Sequence, residues 1–116
     1  MPEIIFYRTL DGKIPVIDFL DSLSGKQAQK ITWVLQYFED THIVPRQYFK
    51  KLVNTEDIWE IRIIYANEIF RILGFFGDSG RFIATNGFKK KTQKTPDGEI
   101  RLAEKRKKLF LERTDK

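Results

Sequence analysis

Residues 58–76 read Ile58-Trp59-Glu60-Ile61-Arg62-Ile63-Ile64-Tyr65-Ala66-Asn67-Glu68-Ile69-Phe70-Arg71-Ile72-Leu73-Gly74-Phe75-Phe76, and this stretch decides the fold. β-Branched and aromatic side chains dominate on both sides of Ala66-Asn67, a dipeptide suited to a tight turn, with Asn67-Glu68 as the alternative. The pattern predicts strands over 58–65 and 69–76 joined as a hairpin. With a two-residue loop at Ala66-Asn67, Tyr65 faces Glu68, Ile63 faces Phe70, and Arg62 lies directly opposite Arg71 on one face. Like charges across a ladder repel, so two guanidiniums there call for an anion between them. Arginine's planar fork suits phosphate. A turn displaced by one residue puts the arginines on opposite faces, with Glu60 neutralising Arg62. Both registers fit the pattern.

Outward from the hairpin, residues 81–88 resume the period of two after the turn Gly77-Asp78-Ser79-Gly80, and residues 49–53 precede it. Continued through that turn, the pairing sets Phe76 against Arg81 and Arg71 against Asn86. Towards the N-terminus, residues 3–8 form a short strand. Pro15 opens a helix carrying Val16, Phe19, Leu20 and Leu23 at helical spacing. Ser24 and Gln27 make a capping box for a second helix, whose stripe is Ala28, Ile31, Leu35 and Phe38 and which ends near Thr41, before Pro45. Thr95-Pro96 opens a last helix with Asp97 and Glu99 in its first turn and Lys107 and Lys108 near its end. Lys107 interrupts its stripe of Ile100, Ala103 and Phe110, which predicts loose docking. The order is strand, two helices, three or four antiparallel strands, helix: an α+β domain with helices on a twisted sheet.

The chain has 116 residues, 41% of them apolar and ten of them phenylalanine, enough for one domain with its own core. No cysteine is present, which excludes a disulfide scaffold, thiolate zinc sites, iron–sulfur clusters and a cysteine nucleophile. His42 is the single histidine, so no histidine pair exists, and a place at a helix C-terminus accounts for it. No apolar run approaches the ~18 residues of a membrane span, and MPEIIFYRTLDG has no secretory pattern. The expectation is a soluble cytoplasmic domain with no membrane partner, no metal and no cofactor.

The net charge of +5 is unevenly placed. Residues 1–88 carry ten Lys/Arg against eleven Asp/Glu, and residues 89–116 carry eleven against five. That asymmetry favours a polyanionic partner, with a solubilising tail as the alternative. The densest stretch is Asn86-Gly87-Phe88-Lys89-Lys90-Lys91-Thr92-Gln93-Lys94-Thr95-Pro96, which sets a positive field beside the arginine pair. Such a site has no triad material, but RNA supplies its own nucleophile, the ribose 2′-hydroxyl. Arg62 and Arg71 suit stabilisation of a phosphorane and are too basic to move protons. A lysine crowded by cations has a lowered pKa, so Lys89, Lys90, Lys91 or Lys94 can serve as acid or base, with Glu60 a further candidate. Trp33 and Trp59 sit on periodic segments and read as core or partner-facing, whereas Tyr48, Tyr65 and Phe88 suit either base stacking or the sheet.

Three runs carry a resemblance: KKL followed by IWEIR (Lys50 to Arg62), FRILGFF (Phe70 to Phe76) and NGFKKKTQKTPDGEIRLA (Asn86 to Ala103). With Pro15-Val16-x-Asp18-Phe19-Leu20, they make the chain similar to RelE/HigB-type toxins of type II toxin–antitoxin modules, most of all the phage-derived HigB-like branch. The resemblance runs from about Ile4 to Arg113 and implies one RelE-like toxin domain over residues 1–116. It implies a ribosome-dependent, metal-free mRNA endoribonuclease that inhibits translation. Its partners would be the ribosome with mRNA and a cognate antitoxin of HigA-like helix-turn-helix type. Matched by motif, Arg62, Arg71, Lys91 and Lys94 fall in the catalytic group, and Lys50, Lys51, Asn86, Lys89 and Lys90 in the RNA-binding group. Several members place a histidine, tyrosine or aspartate late in the chain for proton transfer. Here no histidine or tyrosine follows Tyr65. A non-catalytic RNA- or ribosome-binding module, and a relic that binds only its antitoxin, are the alternatives.

Overall fold

The computed structural model describes residues 2–41, 44–78, 80–90 and 94–114. Eight elements follow one another: β1 (Ile4–Phe6), α1 (Pro15–Asp21), α2 (Gly25–Asp40), β2 (Phe49–Lys51), β3 (Trp59–Tyr65), β4 (Glu68–Phe76), β5 (Phe82–Lys89) and α3 (Asp97–Thr114). The fold is α+β, as the residue pattern predicts. The strands form one five-stranded sheet in the order β1-β5-β4-β3-β2. Every pairing is antiparallel except β1 with β5, which run parallel, Ile5 opposite Ile83. Parallel pairing of distant segments leaves no local mark in a sequence.

Both helix starts follow the residues identified above. Pro15 occupies the first helical position of α1, where its missing N–H is no loss. Ser24 and Gln27 close the capping box of α2: the Gln27 amide donates to Ser24 Oγ at 3.2 Å, and the Ser24 amide donates to Gln27 Oε1 at 3.1 Å. The helix stops where Thr41 turns extended.

Helices cover the sheet on both sides. Val16, Leu20, Ile31, Leu35 and Phe38 from α1 and α2 bury against Ile61, Ile63, Phe70, Ile72, Phe82 and Ala84. On the other side Ala103 of α3, with Ile100, Phe110 and Leu111, packs on Ile58, Leu73, Phe75 and Ile83. A strand buried on both faces needs apolar residues at consecutive positions, which is why FRILGFF shows so little alternation. Among the described residues, no helix is long and apolar enough to cross a membrane.

The central hairpin has the two-residue register: Tyr65 pairs with Glu68, and Arg62 with Arg71. Ala66 and Asn67 both adopt positive φ, 51° and 65°, the twist that matches a right-handed ribbon. The next hairpin departs from expectation. Phe76 pairs with Phe82 rather than Arg81, because residues 77–81 form the connection and the Gly77 amide donates to the Arg81 carbonyl at 2.8 Å. A bulge then leaves Thr85 unpaired between Gly74↔Ala84 and Leu73↔Asn86. The combined slip is two residues, so Arg71 stands opposite Phe88, not Asn86. An even slip preserves faces, and Asn86 stays on the face of Arg71.

The last helix is held more firmly than its interrupted stripe suggests. The Lys107 ammonium reaches past the apolar surface to the Glu56 carbonyl at 2.6 Å and lies 5.8 Å from the Phe75 ring centroid. Arg106 donates to the carbonyl of bulged Thr85 at 2.9 Å. Arg113 caps the far end, donating to the Arg8 carbonyl at 3.0 Å with its guanidinium 4.9 Å from the Tyr7 ring centroid.

Gly74 borders the bulge, where a Cβ would overlap the Ile83 carbonyl oxygen and the Phe82 ring. Gly74→Ala is expected to lower stability by about 1–3 kcal/mol, through overpacking against backbone that cannot move aside. Gly98→Ala, in open space on α3, is expected to raise it by about 0.5–1 kcal/mol. Urea midpoints of both variants against the parent chain check the pair.

Candidate nucleic-acid interface

The hairpin brings two guanidiniums together, and their surroundings treat them differently. Arg71 is 3% exposed and Glu60 1%. Glu60 lies two positions from Arg62 on the same face of β3, yet its carboxylate pairs with Arg71 Nη1. Thr95, on the approach to α3, completes a buried knot: its hydroxyl donates to Glu60 Oε2, and its oxygen accepts from Arg71 Nη1 at 3.3 Å. The expected neutralising carboxylate is therefore present, but it answers Arg71 rather than Arg62. Arg62 is half-buried, and its backbone amide donates to the Tyr48 carbonyl at 2.8 Å. The Nε atoms of both arginines are buried and have no hydrogen-bond partner among the described residues.

Arg62 and Arg71 line one small cavity of about 90 Å³ together with Arg46, Tyr48, Lys50 and Glu60. Four cations against one carboxylate, itself tied to Arg71, leave the wall strongly positive. The space is on the scale of one phosphoryl group. Lys90, just past the end of β5, belongs to the same electrostatic unit. Partial burial, then the Arg71 and Arg62 charges, with Lys50 adding a little, hold its ammonium below the usual lysine value of 10.5, while Glu60 pulls the other way. Its amide donates to the Ile69 carbonyl at 2.7 Å, which fixes where it leaves the sheet.

The remaining candidates distribute unevenly. Lys50 is exposed at the cavity, opposite Glu60 in the ladder. Lys51 alternates to the other side of β2 and pairs with Asp57 at 2.7 Å. Lys89 likewise leaves the arginine face and pairs with Glu68 at 3.0 Å. Lys94 is 82% exposed, with Asp97 at 3.8 Å. Asn86 is buried, and its amide donates to the Glu99 carbonyl and carboxylate at 3.3 and 2.9 Å, so it tethers the first turn of α3. Lys91 and His42 lie outside the described residues. Sequence reasoning missed Arg46, whose loop has no period to follow. It read Thr95 only as a helix-start residue, although its hydroxyl bonds Glu60 and Arg71.

Phosphate charge suits this arrangement, and so does proton transfer. Lys90 holds a larger neutral fraction than an ordinary lysine and can accept a proton.

Residues 18–108, more than three quarters of the chain, match a family model described as phage derived protein Gp49-like. That span runs from α1 into the second half of α3 and contains the whole arginine site. No curated protein matches the sequence.

Two measurements probe the site's energetics. Glu60→Ala strands a buried guanidinium and is expected to cost about 3–5 kcal/mol in chemical denaturation. Lys51→Ala breaks an exposed pair and should leave the urea midpoint essentially where it was. For Lys90, the folded-state pKa is below the unfolded value, so in that window the unfolded chain binds more protons and stability rises with pH towards 10.5. Urea midpoints collected across that range should show the rise in the parent chain and a flatter profile in Lys90→Met.

Proposed function

Because the chain belongs to the phage-derived Gp49-like family, a RelE/toxin-like family, we propose that it is the toxin of a toxin–antitoxin module. In this proposal it is of HigB-like type and cleaves mRNA on the ribosome without a metal. The observation that carries the reading is the pair Arg62 and Arg71 on one sheet face, with Lys90 depressed beside them. The proposed partners are mRNA in the ribosome and a HigA-like antitoxin that keeps the toxin silent.

In the proposed reaction the scissile phosphate enters the cavity of Arg46, Lys50, Arg62 and Arg71. The neutral amine of Lys90 takes the proton of the 2′-hydroxyl as that oxygen attacks phosphorus. Arg62, with Arg71 behind it, stabilises the negative charge that accumulates on the phosphorane. The bond to the 5′-oxygen breaks, that oxygen takes a proton from water, Lys90 releases the proton it took to the solvent, and the products are a 2′,3′-cyclic phosphate and a 5′-hydroxyl. Lys94, exposed just before α3, extends the positive charge along the RNA backbone. DNA lacks the nucleophile and is not cut by this route.

A second reading is translational arrest by occupancy. It is favoured by one observation: Arg71, locked to Glu60 and Thr95, is a structural cation as much as a free ligand for phosphate.

Expression in cells with mapping of mRNA 5′ ends separates the two. Cleavage predicts new ends at defined positions within codons. Arg62→Ala, which leaves the buried Glu60–Arg71 pair intact, should weaken them about 10²–10³-fold, and Lys90→Ala about 10²–10⁴-fold. Growth arrest with intact messages supports occupancy, and no arrest points to a relic that binds only its antitoxin.

A further inference from the structure

α2 and the outer edge of β3 enclose a second cleft, of about 400 Å³, beside the cationic cavity. Its wall contains Lys30, Trp33, Tyr37, Tyr48, Arg62 and Ile64. Four of these are large apolar or aromatic side chains left partly in water: Trp33 is 61% exposed, Tyr37 51%, Ile64 49% and Tyr48 37%. Trp33 and Tyr37, one helical turn apart, stack with centroids 5.7 Å apart and planes 14° from parallel. The Lys30 ammonium sits 5.2 Å from the Trp33 ring centroid. α2 buries Ile31, Leu35 and Phe38, so none of this aromatic surface serves the core. Exposing a tryptophan and a tyrosine side by side has no use in folding.

Arg62 and Tyr48 line both this cleft and the cationic cavity, so the two are neighbours sharing a wall. We propose that the α2–β3 cleft is a nucleobase subsite, in which a base next to the phosphate at Arg62 stacks on the Trp33–Tyr37 platform. This rests on the RNA-cleaving reading above and deepens it by assigning where the substrate's bases go. The chemistry favours a base over an apolar peptide. Flat aromatic faces flanked by Lys30 and Arg62, continuous with a phosphate-sized cavity, are the combination that single-stranded nucleic acid uses: rings for the bases, cations for the backbone. An apolar helix or strand would meet two cations at the rim and gain nothing from them. Such stacking tolerates any base, so the subsite positions the strand and adds affinity without dictating sequence.

The test uses the full chain and two six-residue RNA probes of equal charge, oligouridylate and an abasic ribose-phosphate oligomer, with binding followed by fluorescence anisotropy. The parent chain should bind oligouridylate at least about tenfold more tightly than the abasic probe. Trp33→Ala and Tyr37→Ala should each lose most of that difference while binding the abasic probe as before, and Trp33→Phe should retain it. Both side chains are exposed, so these variants keep the fold, and circular dichroism checks it. Equal parental affinity for the two probes overturns the subsite and leaves the phosphate site standing. Failure to bind either probe overturns both. Weakened binding of a co-expressed antitoxin in Trp33→Ala, with oligouridylate binding unchanged, reassigns the cleft to a protein partner and overturns the proposal.

Discussion

A guanidinium withdrawn from water inside a sheet must have its charge answered by the fold itself, and Arg71 sets that requirement here. Glu60 answers it from the neighbouring strand, and Thr95 bonds both partners from the segment leading into α3. One buried knot thereby ties together β3, β4 and the start of the last helix. Replacing its members by apolar groups of the same size would satisfy packing equally well. What it provides is a fixed position for a positive charge. With Glu60 committed to Arg71, Arg62 faces its twin across the ladder with no carboxylate paired to it among the described residues. The electrostatic tension of the hairpin is moved to one half-buried side chain at the edge of a cavity.

The last helix belongs to the same design. Asn86 holds its first turn through Glu99, Arg106 holds its middle to the bulged Thr85, and Arg113 holds its end near Arg8. Its apolar stripe covers Leu73 and Phe75, while the helix begins only at Asp97. The helix therefore covers one end of the sheet face, while at the other end Arg62 lines the cationic cavity. Bulge, helix and cavity form one mechanical unit: the bulge supplies the carbonyl that anchors the helix, and the helix approach supplies the hydroxyl that locks Arg71.

How far the residues alone reach depends on how local each feature is. The opposition of Arg62 and Arg71 is one of two registers that the residues allow, and the two-residue loop at Ala66-Asn67 selects it in the folded chain. The pairing of β4 with β5 is not legible. A five-residue connection and a bulge together shift the register by two, and neither the GDSG turn nor Thr85 announces its own length or conformation. Glu60 illustrates a subtler gap. It sits on the arginine face in either description, but which arginine it neutralises depends on side-chain reach across strands and on Thr95, 35 residues away.

By itself the sequence determines the α+β composition, a central hairpin with one arginine on each strand, the capped second helix, and a basic C-terminal quarter. All of these follow from periodicity, turn chemistry or charge counted along the chain. Tertiary structure alone decides which cations share a site. Strand alternation sends Lys51 and Lys89 to carboxylates on the far side, while the end of β5 leaves Lys90 beside the arginines, where burial and like charge ease its proton off. It also decides that Trp33 faces water rather than the core. A helical period fixes which residues share a stripe, but only the neighbours that pack against a helix determine which stripe is buried.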